Sequence, residues 1–174
     1  MDKQEIAVKM SDVSKHFNGI CALNKVNLEI HKGTIHALLG ENGAGKSTLM
    51  KILCGLISKD TGKIELFDKE VEFKSIIEAL ENKMAIVPQE LALVEYFSVA
   101  ENIYLGKEKT KRGFMDMNRM TRDAEALLSE LKINLDPKAI VSDLSVSQKQ
   151  MLVIARVLSE DAEVIIMDEP TARL

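Results

Sequence analysis

The run Gly40-Glu41-Asn42-Gly43-Ala44-Gly45-Lys46-Ser47 places glycines, a lysine and a hydroxyl at the spacing of a phosphate cradle. Glycine lets such a loop curl until successive backbone N–H groups point inward at anionic oxygens. The helix start that follows adds partial positive charge at the same spot. In that arrangement Lys46 would reach the β- and γ-phosphates of a nucleoside triphosphate, and the Ser47 hydroxyl would ligate Mg²⁺. Thr48 is the next donor. The plain alternative is a glycine-rich turn carrying a surface lysine. Context favours the cradle, because an apolar stretch (Thr34 to Leu39) precedes it and helical periodicity follows.

A second chemical feature lies near the end of the chain. Val164-Ile165-Ile166-Met167 is an apolar run followed directly by Asp168 and Glu169. A buried strand delivering Asp168 to the sheet edge would place a carboxylate where it can hold the Mg²⁺ shell. Glu169, one residue on, is positioned to deprotonate an attacking water. Many strands end in acidic loops, so this pattern gains its meaning from the phosphate loop upstream.

These residues must be held by particular elements. Ile6–Val13 and Val26–Ile30 read as strands, and Thr34–Leu39 as a buried central strand feeding the loop. Ser47 to Leu56 reads as a helix with Leu49, Ile52, Leu53 and Leu56 on one face. Gly62–Phe67 and Val71–Phe73 are short strands, Ser75–Leu80 a short helix, and Met84–Val87 a buried strand. From Glu90 to about Asp143 helical patterns dominate, and Met120, Ala124, Leu127, Leu128 and Leu131 form an amphipathic stripe. Lys107 to Gly113 reads as a solvated loop. Val146–Leu158 is a strongly apolar helix and Val164–Met167 a strand. The expected organisation is an α/β core built from 1–89 and 144–174, with a helical subdomain, 90–143, inserted into it.

Bulk properties exclude several classes. The chain has 174 residues and a net charge of −4, so it carries no overall basic footprint for nucleic acid. No apolar run approaches the ~20 residues needed to span a bilayer. Cys21 and Cys54 have no framework spacing, which suits a reducing compartment. His16, His31 and His36 lack metal-ligand spacing. Composition thus points to a soluble intracellular protein and gives no function.

Between the two chemical features the sequence resembles the ATP-binding cassette (ABC) family over essentially its whole length. Gln89, in Val87-Pro88-Gln89-Glu90-Leu91, matches the family's glutamine loop. Leu144-Ser145-Val146-Ser147-Gln148 matches the family signature Leu-Ser-Gly-Gly-Gln at three of its five positions. Val146 and Ser147 stand where the general pattern has glycines. Ala37–Thr48, Pro88–Leu91, Val99–Gly106 and Leu144–Met151 together look like the ATPase of bacterial monosaccharide importers of the ribose and galactose type.

The resemblance implies an α/β P-loop NTPase core with a mostly parallel sheet, an N-terminal antiparallel β subdomain and an inserted helical subdomain. It implies ATP and Mg²⁺ as ligands, with Gly40, Glu41, Asn42, Gly43, Ala44, Gly45, Lys46, Ser47 and Thr48 around the phosphates. Phe17 would stack on adenine, although a core phenylalanine is the competing reading of that position. Gln89 would join Ser47 and Asp168 at Mg²⁺, and Gln89, Lys46 and Glu169 would share the hydrolysis. Ser145, Val146, Ser147 and Gln148 would meet the ATP held by a second, facing cassette. A serine N-cap on an apolar helix, from Ser145 or Ser147, explains the same residues without a ligand.

Implied partners are a second cassette, head to tail and on the same longer chain, membrane permease subunits and, indirectly, a sugar-binding protein. The implied place is the cytoplasmic face of the cell membrane. The chain stops at Thr171-Ala172-Arg173-Leu174, where the family's D-loop begins, and no residue matches the family's switch histidine. The family's strand leading to that histidine is expected between the strands that carry Lys46 and Asp168. Two other readings stay open: a soluble ABC ATPase of DNA repair or translation, and a truncated cassette that binds nucleotide without turning it over. Leu91, Ala92, Leu93, Val94, Tyr96 and Phe97 fit the apolar groove of a permease-coupling cassette and favour the importer.

Overall fold

The computed structural model describes residues 5–87, 92–111 and 113–167. It consists of two compact units, Met1–Ala85 and Ile86–Leu174.

In the first unit, β1 (Ile6–Phe17) and β2 (Ile20–His31) form a long antiparallel hairpin. Helix α1 (Lys46–Leu53) follows, then β3 (Thr61–Leu66), β4 (Lys69–Glu70) and α2 (Ile76–Glu81). The antiparallel sheet runs in the order β2-β1-β3-β4. Val8 and Met10 are buried at the two-residue spacing of a strand face, but the next buried apolar residue is Val13. The shift comes from a bulge: Asp12 turns to a φ of 52°. Gly62 permits it, because a Cβ there would lie 2.6 Å from the backbone of Asp12 and Val13.

Helix α1 buries Leu49, Ile52 and Leu53 as its periodicity predicts. It stops before Leu56, which is exposed rather than part of the stripe. Gly55 adopts a φ of 73°. The Leu56 N–H donates back to the Lys51 carbonyl and the Gly55 N–H to that of Ile52. That bonding satisfies the last carbonyls and ends the helix.

Two strand expectations in this unit are corrected. Thr34–Leu39 is not a buried strand: no described strand pairs with it, and Ile35 and Leu39 are 102% and 89% exposed. A strand exists only where a neighbour takes its N–H and C=O groups, which composition cannot supply. Val71–Phe73 is not a strand either, although the Val71 N–H still donates to the Ile64 carbonyl at 2.9 Å. Phe67 and Asp68, with φ of 49° and 62°, form a tight turn that pairs Leu66 with Lys69. The chain then leaves the sheet, and Phe73 packs against Gly55.

The second unit begins within β5 (Met84–Val87), which pairs with β8 (Val164–Met167). Between them lie α3 (Val99–Ile103), a small hairpin of β6 (Thr110–Lys111) and β7 (Phe114–Met115), α4 (Met117–Glu130) and α5 (Val146–Leu158). The hairpin falls in and just after the stretch that reads as solvated loop. Ser98 starts α3 with a capping box closed by Glu101. Met120, Ala124 and Leu128 of α4 meet Val99, Ile103 and Leu152 in one apolar cluster, with Leu127 and Leu131 packed at its edge.

Met120 is fully buried in that cluster. Met120→Ala is expected to destabilise this unit by about 2–5 kcal/mol, read from urea unfolding. A loss below about 1 kcal/mol would mean that the cluster collapses around the deletion.

Candidate functional site

The loop before α1 is shaped by two left-handed glycines, a backbone turn and one tight approach. Gly43 and Gly45 adopt φ of 85° and 89°, a region that side chains strain to reach. The Ala44 N–H donates to the Glu41 carbonyl, closing a turn. Gly45 is the N-cap of α1, and no side chain caps that helix. Its first amides are therefore left for a ligand.

A Cβ at Gly45 would stand 2.6 Å from the Ala22 carbonyl oxygen and 2.8 Å from Leu23 Cδ2. The cradle is thus pressed against β2 of its own unit. Gly45→Ala is expected to cost about 2–3 kcal/mol of stability and to weaken ATP binding together with it. Gly43→Ala, with nothing within 4 Å of its Cβ, should carry only the backbone strain of about 1–2 kcal/mol. Denaturant midpoints and nucleotide titration of both variants separate contact from strain; equal losses would remove the contact argument.

Lys46 curls over the loop, its Nζ donating to the carbonyls of Gly40 at 2.7 Å and Glu41 at 2.8 Å. The ammonium therefore lies across the cradle mouth. Ser47, Glu41, Asn42, Gly43 and Ala44 are exposed, and Thr48 is half-buried. The structure brings the residues from 40 to 48 into one loop and helix start, and an anion entering from solvent meets glycine amides and one cation.

Phe17 lies at the end of β1, where it pairs with Ile20, and is 43% exposed. It is not a core phenylalanine. Lys15 Nζ stands 5.5 Å from its ring centroid. Asp60 fixes this strand end by accepting from Lys15 Nζ at 2.8 Å and from the His16 N–H at 2.7 Å. Those two bonds hold the Asp60 carboxyl below its ordinary range. Its folded pKa is depressed, so this tie holds at neutral pH and is lost only as pH falls through that lowered value.

In the second unit, Ser145 is the N-cap of α5, and its hydroxyl accepts from the Gln148 N–H at 3.3 Å. Gln148 Oε1 returns the bond by accepting from the Ser145 N–H at 2.9 Å. Ser145 therefore takes the capping role, with Ser147 Oγ 3.2 Å from its own. Ser-x-x-Gln spacing fits Ser145 with Gln148 and Ser147 with Gln150 alike, so the capping geometry, not the sequence, separates the two serines. Ser145, Val146, Ser147 and Gln148 are all exposed, Val146 at 54%.

Gln89, Asp168 and Glu169 lie outside the described residues, as does Leu91. β8 ends at Met167, the residue before the first of the two carboxylates. Of the expected apolar groove, Tyr96 is 88% exposed and Phe97 is open, while Leu93 packs against the helical cluster instead. Residue type and spacing do not single out Asn102, a fully buried amide that bonds both backbone groups of Val94. Among the described residues no group of acidic, cysteine and histidine side chains could hold a metal by itself.

The sequence profile of the family described as "ABC transporter" matches residues 23–172. The galactose/methyl galactoside import ATP-binding proteins MglA of Pasteurella multocida (strain Pm70) and Escherichia coli (strain K12) are each 49% identical over 170 residues. Each alignment takes in 98% of this chain and 34% of the relative, so the chain spans about a third of the length of the curated relatives it matches. Among solved structures, cbiO1 from Clostridium perfringens, part of the ABC transporter complex cbiONQ, superposes with a TM-score of 0.82 at 28% identity. That match covers 98% of this chain and 68% of the other. A nucleotide-free ATP-binding cassette from an ABC transporter gives a TM-score of 0.82 at 24% identity, covering 97% and 71%, and supports the fold alone.

Proposed function

Since the chain belongs to the ABC transporter family, we propose that it is the nucleotide-binding part of an ATPase energising monosaccharide import. The observation that carries the reading is the cradle itself: a Gly45 N-cap without side-chain partner, with Lys46 drawn across it. Such a site stabilises triphosphate charge by fixed amides and one ammonium. Similarity to galactose/methyl galactoside import proteins supports a sugar as cargo.

In this reading Gly40, Glu41, Asn42, Gly43, Ala44, Gly45 and Thr48 wrap the phosphates, and Phe17 stacks on adenine. The oxygens of Ser47, Gln89 and Asp168 would hold Mg²⁺, an all-oxygen donor set that suits a hard cation. Mg²⁺, when bound, offsets charge between the β- and γ-phosphates. Glu169 takes a proton from water as the water oxygen attacks the γ-phosphorus. The bond to the β-phosphate oxygen breaks, and ADP and phosphate leave. Gln89 orients that water. Ser145, Val146, Ser147 and Gln148 face the nucleotide of a second cassette, packed head to tail.

The partners are that second cassette, permease subunits and a sugar-binding protein, and nucleic acid has no part. The protein would sit peripherally on the cytoplasmic face of the membrane; among the described residues no helix is long and apolar enough to cross it. Residues 1–89 and 144–174 would form the ATPase core, with 90–143 as its helical insert.

The test is ATP hydrolysis by the full-length protein assembled with its permease in lipid vesicles. Turnover should rise when galactose-loaded binding protein is supplied. Hydrolysis without any response to sugar would overturn the import reading, and no hydrolysis at all would overturn the ATPase reading.

A further inference from the structure

The turn after the glutamine segment is bound on two sides. On one side, Asn102 accepts from the Val94 N–H at 2.8 Å and donates to the Val94 carbonyl at 3.0 Å. On the other, the Ser142 N–H donates to the Glu95 carbonyl and the Val141 N–H to that of Phe97. The turn is therefore stiff along its backbone, while Tyr96 projects from it almost fully exposed.

Two side chains of α5 reach the same turn. Lys149 Nζ donates to Glu95 Oε1 at 2.8 Å, and Arg156 Nη1 to the Ala92 carbonyl at 3.3 Å. Of the two, only Lys149 stands in the first turn of α5. Its own N–H donates to the Ser145 carbonyl at 2.9 Å. Its side chain is largely covered, with 17% exposure against 58% for Glu95, so the lysine is the anchored partner. One residue thus touches the exposed turn with its side chain and the Ser145 N-cap with its backbone.

We propose that Glu95 and Lys149 are a positioning pair for ATP hydrolysis, tying the Tyr96 turn to the placement of Ser145. The proposal rests on the reading above, in which that turn faces the permease and Ser145 meets the facing nucleotide. A displacement of the turn moves the Glu95 carboxylate. Lys149 follows it, and with Lys149 goes the first turn of α5. Neither residue need touch nucleotide for this.

The experiment uses the full-length ATPase with its permease in vesicles. Glu95→Gln and Lys149→Met should each lower sugar-stimulated turnover about twofold to fivefold, the range of a partly exposed charge pair. KM for ATP and the unfolding midpoint should not move. The charge-reversed double variant E95K/K149E should recover at least about half of the loss. Unchanged stimulation in both single variants, or a reversed double no better than either single, overturns the pair.

If the unaltered protein shows no sugar stimulation, the import reading fails, and backbone amide exchange then decides the pair by itself. Glu95→Gln should speed exchange across residues 145–149 about twofold to fivefold, and no change there would discard the link.

Discussion

Lys46→Ala is expected to lower ATP turnover of the full-length protein at least about a hundredfold, the scale of losing one preorganised charge-stabilising donor. The geometry gives the reason. Nζ is held by the Gly40 and Glu41 carbonyls at 2.7 and 2.8 Å, which places the cation across the cradle. Alanine removes the charge and also two bonds that keep the loop curled. Lys46→Arg should rescue little, because a planar fork cannot make the same two contacts from a compact point charge. The check is phosphate release alongside nucleotide titration. Both affinity and turnover should fall. Turnover within threefold of the unaltered protein would remove Lys46 from the site.

The second large effect separates binding from chemistry. Glu169→Gln should lower turnover by about a hundredfold to ten-thousandfold, the range for losing a general base, while ATP affinity stays close to normal. An amide has the shape of the carboxylate but cannot take the water's proton. Asp168→Asn is the informative contrast: if Asp168 holds Mg²⁺ as proposed, Mg²⁺-dependent binding should fall as well. Glu169 follows β8, whose apolar residues Val164–Met167 carry the chain to the two carboxylates. Measuring kcat and nucleotide Kd on the same preparations distinguishes the roles. Undiminished turnover in Glu169→Gln would discard it as the base.

Residue types and spacing alone make much of the phosphate loop and part of its scaffold legible. Met84–Val87, Val146–Leu158 and Val164–Met167 fall where their apolar runs and punctuation put them. The last two are bracketed by a Ser145 cap and by an acidic pair, signals that act locally. The phosphate loop is equally plain, since its glycines are needed at fixed offsets from one lysine.

The features that local pattern misplaces depend on something else. Leu56 keeps the helical spacing of α1, but Gly55 ends the helix in the left-handed region. Thr34–Leu39 has a strand's composition and lacks a described strand to bond with. The burial of Asn102 and the reach of Lys149 to Glu95 need residues brought together across eight and 54 positions of sequence, and no periodicity records that.

The reciprocal bonding of Ser145 and Gln148 has a consequence for recognition. A hydroxyl has one proton to give and two lone pairs to share. In Ser145 a lone pair accepts the Gln148 N–H, while the backbone around it is pinned by Gln148 Oε1. The proton can point to Ser147 Oγ, 3.2 Å away, or turn toward an anion, so the rotor about Cβ–Oγ is what binding would have to order. Engagement of a phosphate oxygen would therefore carry little entropic penalty. Ser145→Ala would lose the donor and about 1 kcal/mol of helix stability in one step. Its phenotype would mix the two unless the unfolding midpoint is measured beside the nucleotide response.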